Sequence, residues 1–342
     1  MSARLAKLPP DLPQTSDDGE EEEEELDSVG APARHPRTKP KREPNPAFAP
    51  ISAEGLFDSA AQVQVEARGL DVRVYYTPPK FADGTVMVCH HGAGYSGLSF
   101  ACFAKEIADM TRGECGVLAF DARRHGKTTA SSDDENLSID VLVDDLYELV
   151  RTTFQTPKDA PTLVDGGYRV TGVTVIDVVE GSAIDALPHM HSLLNARPDG
   201  FDSLEEAIEW HVTTNTIRNV RSARISIPSI FKASEPKSPL VPAYVWRTPL
   251  RSTAPYWTSW FKGLSSTFLA ARTARLLVLA GHDRLDKELM IGQMQGKFQL
   301  MVIPGVGHMV QEDDPTRLAE IVVEFWRRNE RVVAGVKRVG EN

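Results

Sequence analysis

Apolar and polar residues alternate along two neighbouring stretches, 61–67 (AQVQVEA) and 70–76 (LDVRVYY), with Gly69 between them. A period of two puts one face of a strand on a core and the other in water, so the pair predicts an antiparallel hairpin. Further on the pattern changes. Residues 85–89 (TVMVC), 116–120 (GVLAF), 170–176 (VTGVTVI), 275–280 (RLLVLA) and 298–303 (FQLMVI) are short and almost wholly apolar. Such runs predict strands buried on both faces. Helical spacing falls between and after them, over 99–110, 138–154 and 318–327. In 138–154 the residues Ile139, Leu142, Val143, Leu146, Leu149 and Val150 share one face, and Ser138 stands where an N-cap is expected. One junction is abnormally short. Thr162-Leu163-Val164 begins a strand, meets Asp165-Gly166-Gly167, and a new strand starts at Tyr168-Arg169-Val170.

Buried strands alternating with helices predict an α/β fold with a mostly parallel central sheet covered on both faces. Residues 182 to 268 break the alternation and read as helices and loops, punctuated by Pro188, Pro198, Pro228, Pro236, Pro239 and Pro242. This block predicts a helical cap over the strand ends, with Ser182 as a helix N-cap, a helix over 204–210 and a flexible loop over 235–242. Trp246, Tyr256, Trp257, Trp260 and Phe261 fall in the rest of it. In open α/β sheets ligands bind beyond the carboxyl ends of the strands, so chemistry is expected just after each one.

Composition narrows the class. Residues 1–45 are rich in Pro, Glu, Lys and Arg and poor in aromatics, so they predict a disordered charged tail ahead of one folded domain over 46–342. Lys39-Pro40-Lys41-Arg42 reads as part of that solvated tail or as a short nuclear-import signal. The formal net charge of -10 and pI near 5.5 argue against nucleic acid or an anionic membrane as main partner. Cys89, Cys102 and Cys115 do not make an even disulfide framework, which favours a reducing compartment. The expected location is the cytoplasm, the nucleus or both.

The residues behind the strands carry the chemistry. After 85–89 comes His90-His91-Gly92-Ala93-Gly94-Tyr95-Ser96. Such a turn brings backbone N–H groups of Ala93 and Gly94 close to a ligand, as an oxyanion-binding loop does, or simply joins a strand to a helix. After 298–303 comes Pro304-Gly305-Val306-Gly307-His308. A histidine there suits a general base, because its pKa lies near neutrality. Two carboxylates compete to orient it: Asp283, behind 275–280, and Asp177, behind 170–176. The nucleophile is the missing part. No serine satisfies Gly-x-Ser-x-Gly. Ser99 is expected on a helix, Ser265 in the cap and Ser182 at a helix start, none at a strand–turn–helix elbow. Cys89 ends a buried strand with nothing beyond His90 and His91 to lower its pKa.

Long stretches carry a family resemblance: residues 176–183 (IDVVEGSA), 207–210 (AIEW), 217–219 (IRN), 222–224 (SAR), 283–287 (DRLDK) and, most distinctive, 291–299 (IGQMQGKFQ). Over almost the whole folded part the chain resembles the protein phosphatase methylesterases, which are α/β hydrolases. The resemblance implies a serine esterase that demethylates the C-terminal leucine of the protein phosphatase 2A catalytic subunit and uses no metal or other cofactor. It implies Asp177 as triad acid and His308 as base. The cap residues Arg218, Arg224, Trp246, Trp257 and Trp260 would dock the phosphatase tail or simply form cap core. The family's Gly-His-Ser-Met-Gly-Gly elbow belongs between Val164 and Tyr168, and this sequence departs from the pattern there.

A chain without that strand end, elbow and helix leaves neighbouring apolar faces uncovered, at roughly 25 cal/mol per Å², against net stabilities of only about 5–15 kcal/mol. The chain as written is therefore expected to be inactive and poorly packed around 160–170. Three origins fit: an ordinary methylesterase whose sequence has lost a segment through misassigned splicing, a genuine splice form or pseudoenzyme that binds the phosphatase without demethylating it, or a hydrolase using another nucleophile.

Overall fold

The computed structural model describes residues 43–131, 136–154, 169–234, 241–281 and 285–331. The alternating stretches form the expected hairpin: β1 (Ser59–Val65) pairs antiparallel with β2 (Leu70–Thr77), Val63 opposite Val72. Gly69 turns the chain at φ +58°, a left-handed conformation that a Cβ disfavours. There follow β3 (Val86–Cys89), α1 (Ala101–Thr111), β4 (Gly116–Phe120), β5 (Thr129–Ala130), α2 (Ile139–Phe154) and β6 (Gly172–Ile176). The cap comprises α3 (Glu180–Asn195), β7 (Gly200–Phe201), α4 (Leu204–Thr213), α5 (Val220–Ser226), β8 (Phe231–Ala233), β9 (Tyr244–Trp246), α6 (Trp257–Phe261) and α7 (Leu264–Ala270). The chain returns through β10 (Ala274–Ala280), α8 (Lys287–Met294), β11 (Gln299–Ile303), α9 (Val310–Asp313) and α10 (Pro315–Arg331).

The α/β architecture matches the expectation, but among the described residues the central sheet comes in two parts. One runs in the order β1-β2-β4-β3, with β5 on β2; the other is β11-β10-β6. β3 is parallel to β4, and β10 is parallel to both β6 and β11. Thus β3 and β6 each have one paired neighbour here. Residues 162–164, expected as a further strand, and the junction from Val164 to Tyr168 lie outside the described residues.

The two faces of this arrangement differ. On one, α1 and α10 cover both parts, and Cys89, Val117, Leu276, Val278 and Ile303 share a single apolar cluster. On the other face there are two clusters. Val72, Leu118 and Leu149 centre the first, and Leu277, Leu279 and Phe268 the second. At the margin of the first, Val86 packs inward. Val88, two residues on and so on the same face, is 39% exposed. The expectation that β3 is buried on both faces is therefore corrected: among the described residues nothing covers Val88 in its outer half. Likewise Leu149 of α2 is buried while Ile139 and Val143 (56%), on the same predicted face, are exposed.

The cap is not purely helical. β7, β9 and β8 form an antiparallel three-stranded sheet, which the prolines and irregular spacing hid. Its strands are only two or three residues long, too short for a period of two to register. They close over an aromatic core in which Trp246 meets Phe231, Phe201 and Trp210. The helix expected to start at Ser182 starts at Glu180, because Val179 is the last extended residue. Ser182 lies in its first turn and donates to the Val179 carbonyl at 3.3 Å. Residues 235–240 of the expected loop lie outside the described residues.

Candidate functional site

The end of β6 places one partner and the loop after β11 the other. β6 is in register with β10, Ile176 opposite Val278, so the next residue, Asp177, projects beside the end of β10. Its backbone sits at φ +50°, unusual for a residue with a Cβ. It is held there by two hydrogen bonds: its N–H donates to Val278 O at 2.7 Å, and the Ala280 N–H donates to Asp177 Oδ1 at 2.8 Å. The other oxygen, Oδ2, meets His308 Nδ1 at 2.8 Å. The Asp177 side chain is 3% exposed and that of His308 69%. With Nδ1 engaged, His308 Nε2 is left to take a proton from an incoming group.

The loop carrying His308 is anchored by α9 and by Arg218 of the cap. Asp313, in α9, accepts the Gly307 N–H at 2.6 Å and the Arg218 N–H at 2.7 Å. Arg218 returns the contact by donating from Nη1 to Gly305 O at 2.6 Å. Arg218 thus ties the His308 loop to the start of α5, a structural job on top of its expected place in a docking surface. Arg224 is used similarly, donating to Ala49 O. Trp246 is stacked under Arg197, whose guanidinium carbon lies 3.4 Å from the ring centroid. Trp257 is buried against His191, and Trp260 donates to Leu137 O at 2.7 Å. These contacts engage all three tryptophans within the protein, Trp260 with the segment ahead of α2 and not with the cap.

The turn after β3 contains Ala93 and Gly94. Gly94 adopts φ +84° and is packed against Leu250, so a Cβ would clash. Its N–H donates to His125 Nε2 at 2.9 Å, so this expected oxyanion donor is engaged within the protein. Ala93 is exposed, and its N–H meets no acceptor among the described residues. Sequence reading missed His125, because nothing in Asp121-Ala122-Arg123-Arg124-His125 signals its fold-back. Its Nδ1 bonds Arg123 O, and burial pulls its pKa down to about 4. His91 is wired alike, with the Ala122 N–H on Nε2 and Gly92 O on Nδ1, and burial holds it well below the usual histidine range. Both rings are neutral struts with both nitrogens used. The buried Asp121 carboxylate accepts from the Gly97 and Lys127 N–H groups.

The remaining candidates sit elsewhere. Ser99 is buried in the short 3₁₀ turn ahead of α1. Ser265 donates to Asp286 Oδ2 at 2.6 Å. Burial pushes the Cys89 thiol up to about 12, so it is no thiolate at neutral pH. Asp283 lies outside the described residues. No group of three or more His, Cys, Asp or Glu among the described residues is placed to hold a metal ion.

The model of the alpha/beta hydrolase family matches residues 87–321. The chain is 41% identical to protein phosphatase methylesterase 1 of Cryptococcus neoformans var. neoformans serotype D, covering 98% of this chain and 93% of that protein. That alignment runs over 396 residues, longer than the 342-residue chain, so the relative carries residues with no counterpart here. The enzyme of the same name from Emericella nidulans is 44% identical, over 96% of this chain and 87% of that one. That from Schizosaccharomyces pombe is 38% identical, over 81% and 85%. Among solved structures, E-2-(acetamidomethylene)succinate hydrolase superposes with a TM-score of 0.58 at 18% identity, covering 79% of this chain and 99% of that one. At that identity the likeness speaks to the fold.

Proposed function

Because the chain belongs to the protein phosphatase methylesterase family of α/β hydrolases, we propose that its site is built to demethylate the C-terminal leucine of the protein phosphatase 2A catalytic subunit. The observation that carries this reading is the 2.8 Å bond between His308 Nδ1 and Asp177 Oδ2. It leaves an imidazole nitrogen facing solvent on the side of the sheet where such sites form. In a chain with an elbow serine, His308 takes the serine proton as the hydroxyl attacks the ester carbonyl. Asp177 stabilises the imidazolium, and the Ala93 N–H helps to hold the oxyanion. Methanol leaves with the proton from His308, and water then cleaves the acyl-enzyme. A second oxyanion donor normally comes from the residue after the serine. Gly94 joins Ala93 only if its N–H releases His125.

The chain as written has the acid and base but no Gly-x-Ser-x-Gly serine, so we read it as catalytically silent. A fluorophosphonate probe should leave it unlabelled; labelling at Ser99 or Ser265 overturns this. Grafting the family's strand, Gly-His-Ser-Met-Gly-Gly elbow and helix between Val164 and Tyr168 should confer methylesterase activity, lost about a million-fold when the elbow serine is replaced by Ala. The alternative, a phosphatase-binding form without esterase activity, is favoured by the intact cap and the intact contacts around His308. It requires that the unaltered chain capture the methylated phosphatase tail. Its three cysteines are free, which supports a cytoplasmic or nuclear setting.

A further inference from the structure

A cleft of about 360 Å³ opens between the 124–130 segment and the cap sheet, and no residue of the His308 loop lines it. Arg124 and Lys127 line it from the core side, and Lys232 and Arg247 from the cap side. Among the described residues no carboxylate lines it, in a protein whose net charge is -10. Among the described residues Lys127, Lys232 and Arg247 are in no ion pair. Arg247 Nε is buried without a hydrogen-bond partner there, a donor whose burial is costly unless something accepts from it. Thr248, next to it, fixes the two walls together by donating to Arg124 O at 3.0 Å.

Both walls carry a strand edge. Among the described residues β5, whose residues Thr129 and Ala130 line the cleft, pairs with β2 alone, and β8, which carries Lys232, pairs with β9 alone. A strand edge without a second neighbour is where an extended peptide can add by backbone hydrogen bonds. The volume is of small-ligand size, within about 300–1,000 Å³, and the cleft holds no aromatic side chain on which a base could stack.

We propose that this cleft docks an extended acidic peptide segment of a partner protein, whose carboxylates meet Lys127, Lys232 and Arg247 while its backbone adds to a strand edge. This goes beyond the esterase reading and needs no nucleophile, so it can be tested on the full chain as it stands. The probe is a fluorescein-labelled Glu-Val-Glu-Val-Glu-Val peptide, followed by anisotropy, with Gln-Val-Gln-Val-Gln-Val as control. Saturable binding of the acidic peptide alone is expected, weakened at least ten-fold in K127E/K232E, and clearly in K127A/K232A. Both lysines are exposed, and a circular dichroism spectrum matching the parent confirms that the variants fold. Raising salt from 50 to 500 mM should weaken binding as well. Equal binding of both peptides, binding unchanged in both variants, or tighter binding of a single-stranded oligonucleotide would each overturn the proposal. So would binding that appears only in D133N/D134N/E135Q, since the ligand would then be the chain's own acidic run.

Discussion

Asp177 and His308 lie 131 residues apart in sequence and 2.8 Å apart in space. Asp177 reaches this position at a strained φ, which three hydrogen bonds through its N–H and carboxylate stabilise. In the elbow-restored chain, Asp177→Asn should therefore lower kcat by about 10⁴-fold, by setting the wrong imidazole tautomer. A kinetic pH profile that keeps full turnover near neutrality would rule that role out. A second carboxyl is informative for stability. Glu312 is 1% exposed. Burial pushes its pKa up to about 8, opposed by the hydrogen bond from Ser226 Oγ at 2.5 Å and reinforced by Asp313. Its folded value lies above the unfolded 4.5. The stability it contributes is thus fully present below pH 4.5 and lost as pH rises through 8. Glu312→Gln removes that loss, so its Tm relative to the parent should be several degrees higher at pH 9 than at pH 5. The buried histidines act in the opposite direction. His125 and His211 are held down to about 4 by burial, so the unfolded state binds their protons first and stability falls as pH drops from 6.5 towards 4.

At the scale of elements, strand coverage decides which substitutions matter. β4 is buried along its whole length, whereas β3 is half-buried and Val88 exposed. Leu118→Ala in β4 should cost about 2–5 kcal/mol in urea unfolding, and Val88→Thr within about 0.5 kcal/mol. A Val88 substitution as costly as the Leu118 one would mean that β3 is covered in solution. In the cap, Phe231 is buried between Phe201, His211 and Trp246, and Phe231→Ala should cost about 3–5 kcal/mol. Native-state hydrogen exchange should be faster in β3 and β6, each with one paired neighbour among the described residues, than in β4 and β10, each with two.

For the whole molecule, one face is a continuous core under α1 and α10 and the other is two clusters. Inserting the elbow segment should raise Tm and reduce binding of a hydrophobic dye, by covering Val88 and the outer face of α2. A restored chain that binds as much dye as the parent would contradict this account. The hairpin, the positions of five central-sheet strands, the closing helix and His308 behind the last strand were legible in the sequence, although the full burial expected of β3 was not observed. Periodicity and turn residues record which side of a local element faces the core, and glycine marks where the chain must turn. So was the lack of an elbow serine, since that motif is contiguous. Which carboxylate partners His308 was not legible from spacing, which left both Asp177 and Asp283 open. The parallel register of β6 on β10, a long-range pairing, brings Asp177 to the histidine. Long-range contacts likewise decided that the Gly94 N–H is taken by His125, that Arg218 and Asp313 lock the His308 loop, and that three very short strands pair within the cap. Local pattern determined the elements and their chemistry; only tertiary packing decided which of them touch, because contact depends on residues far apart in the chain.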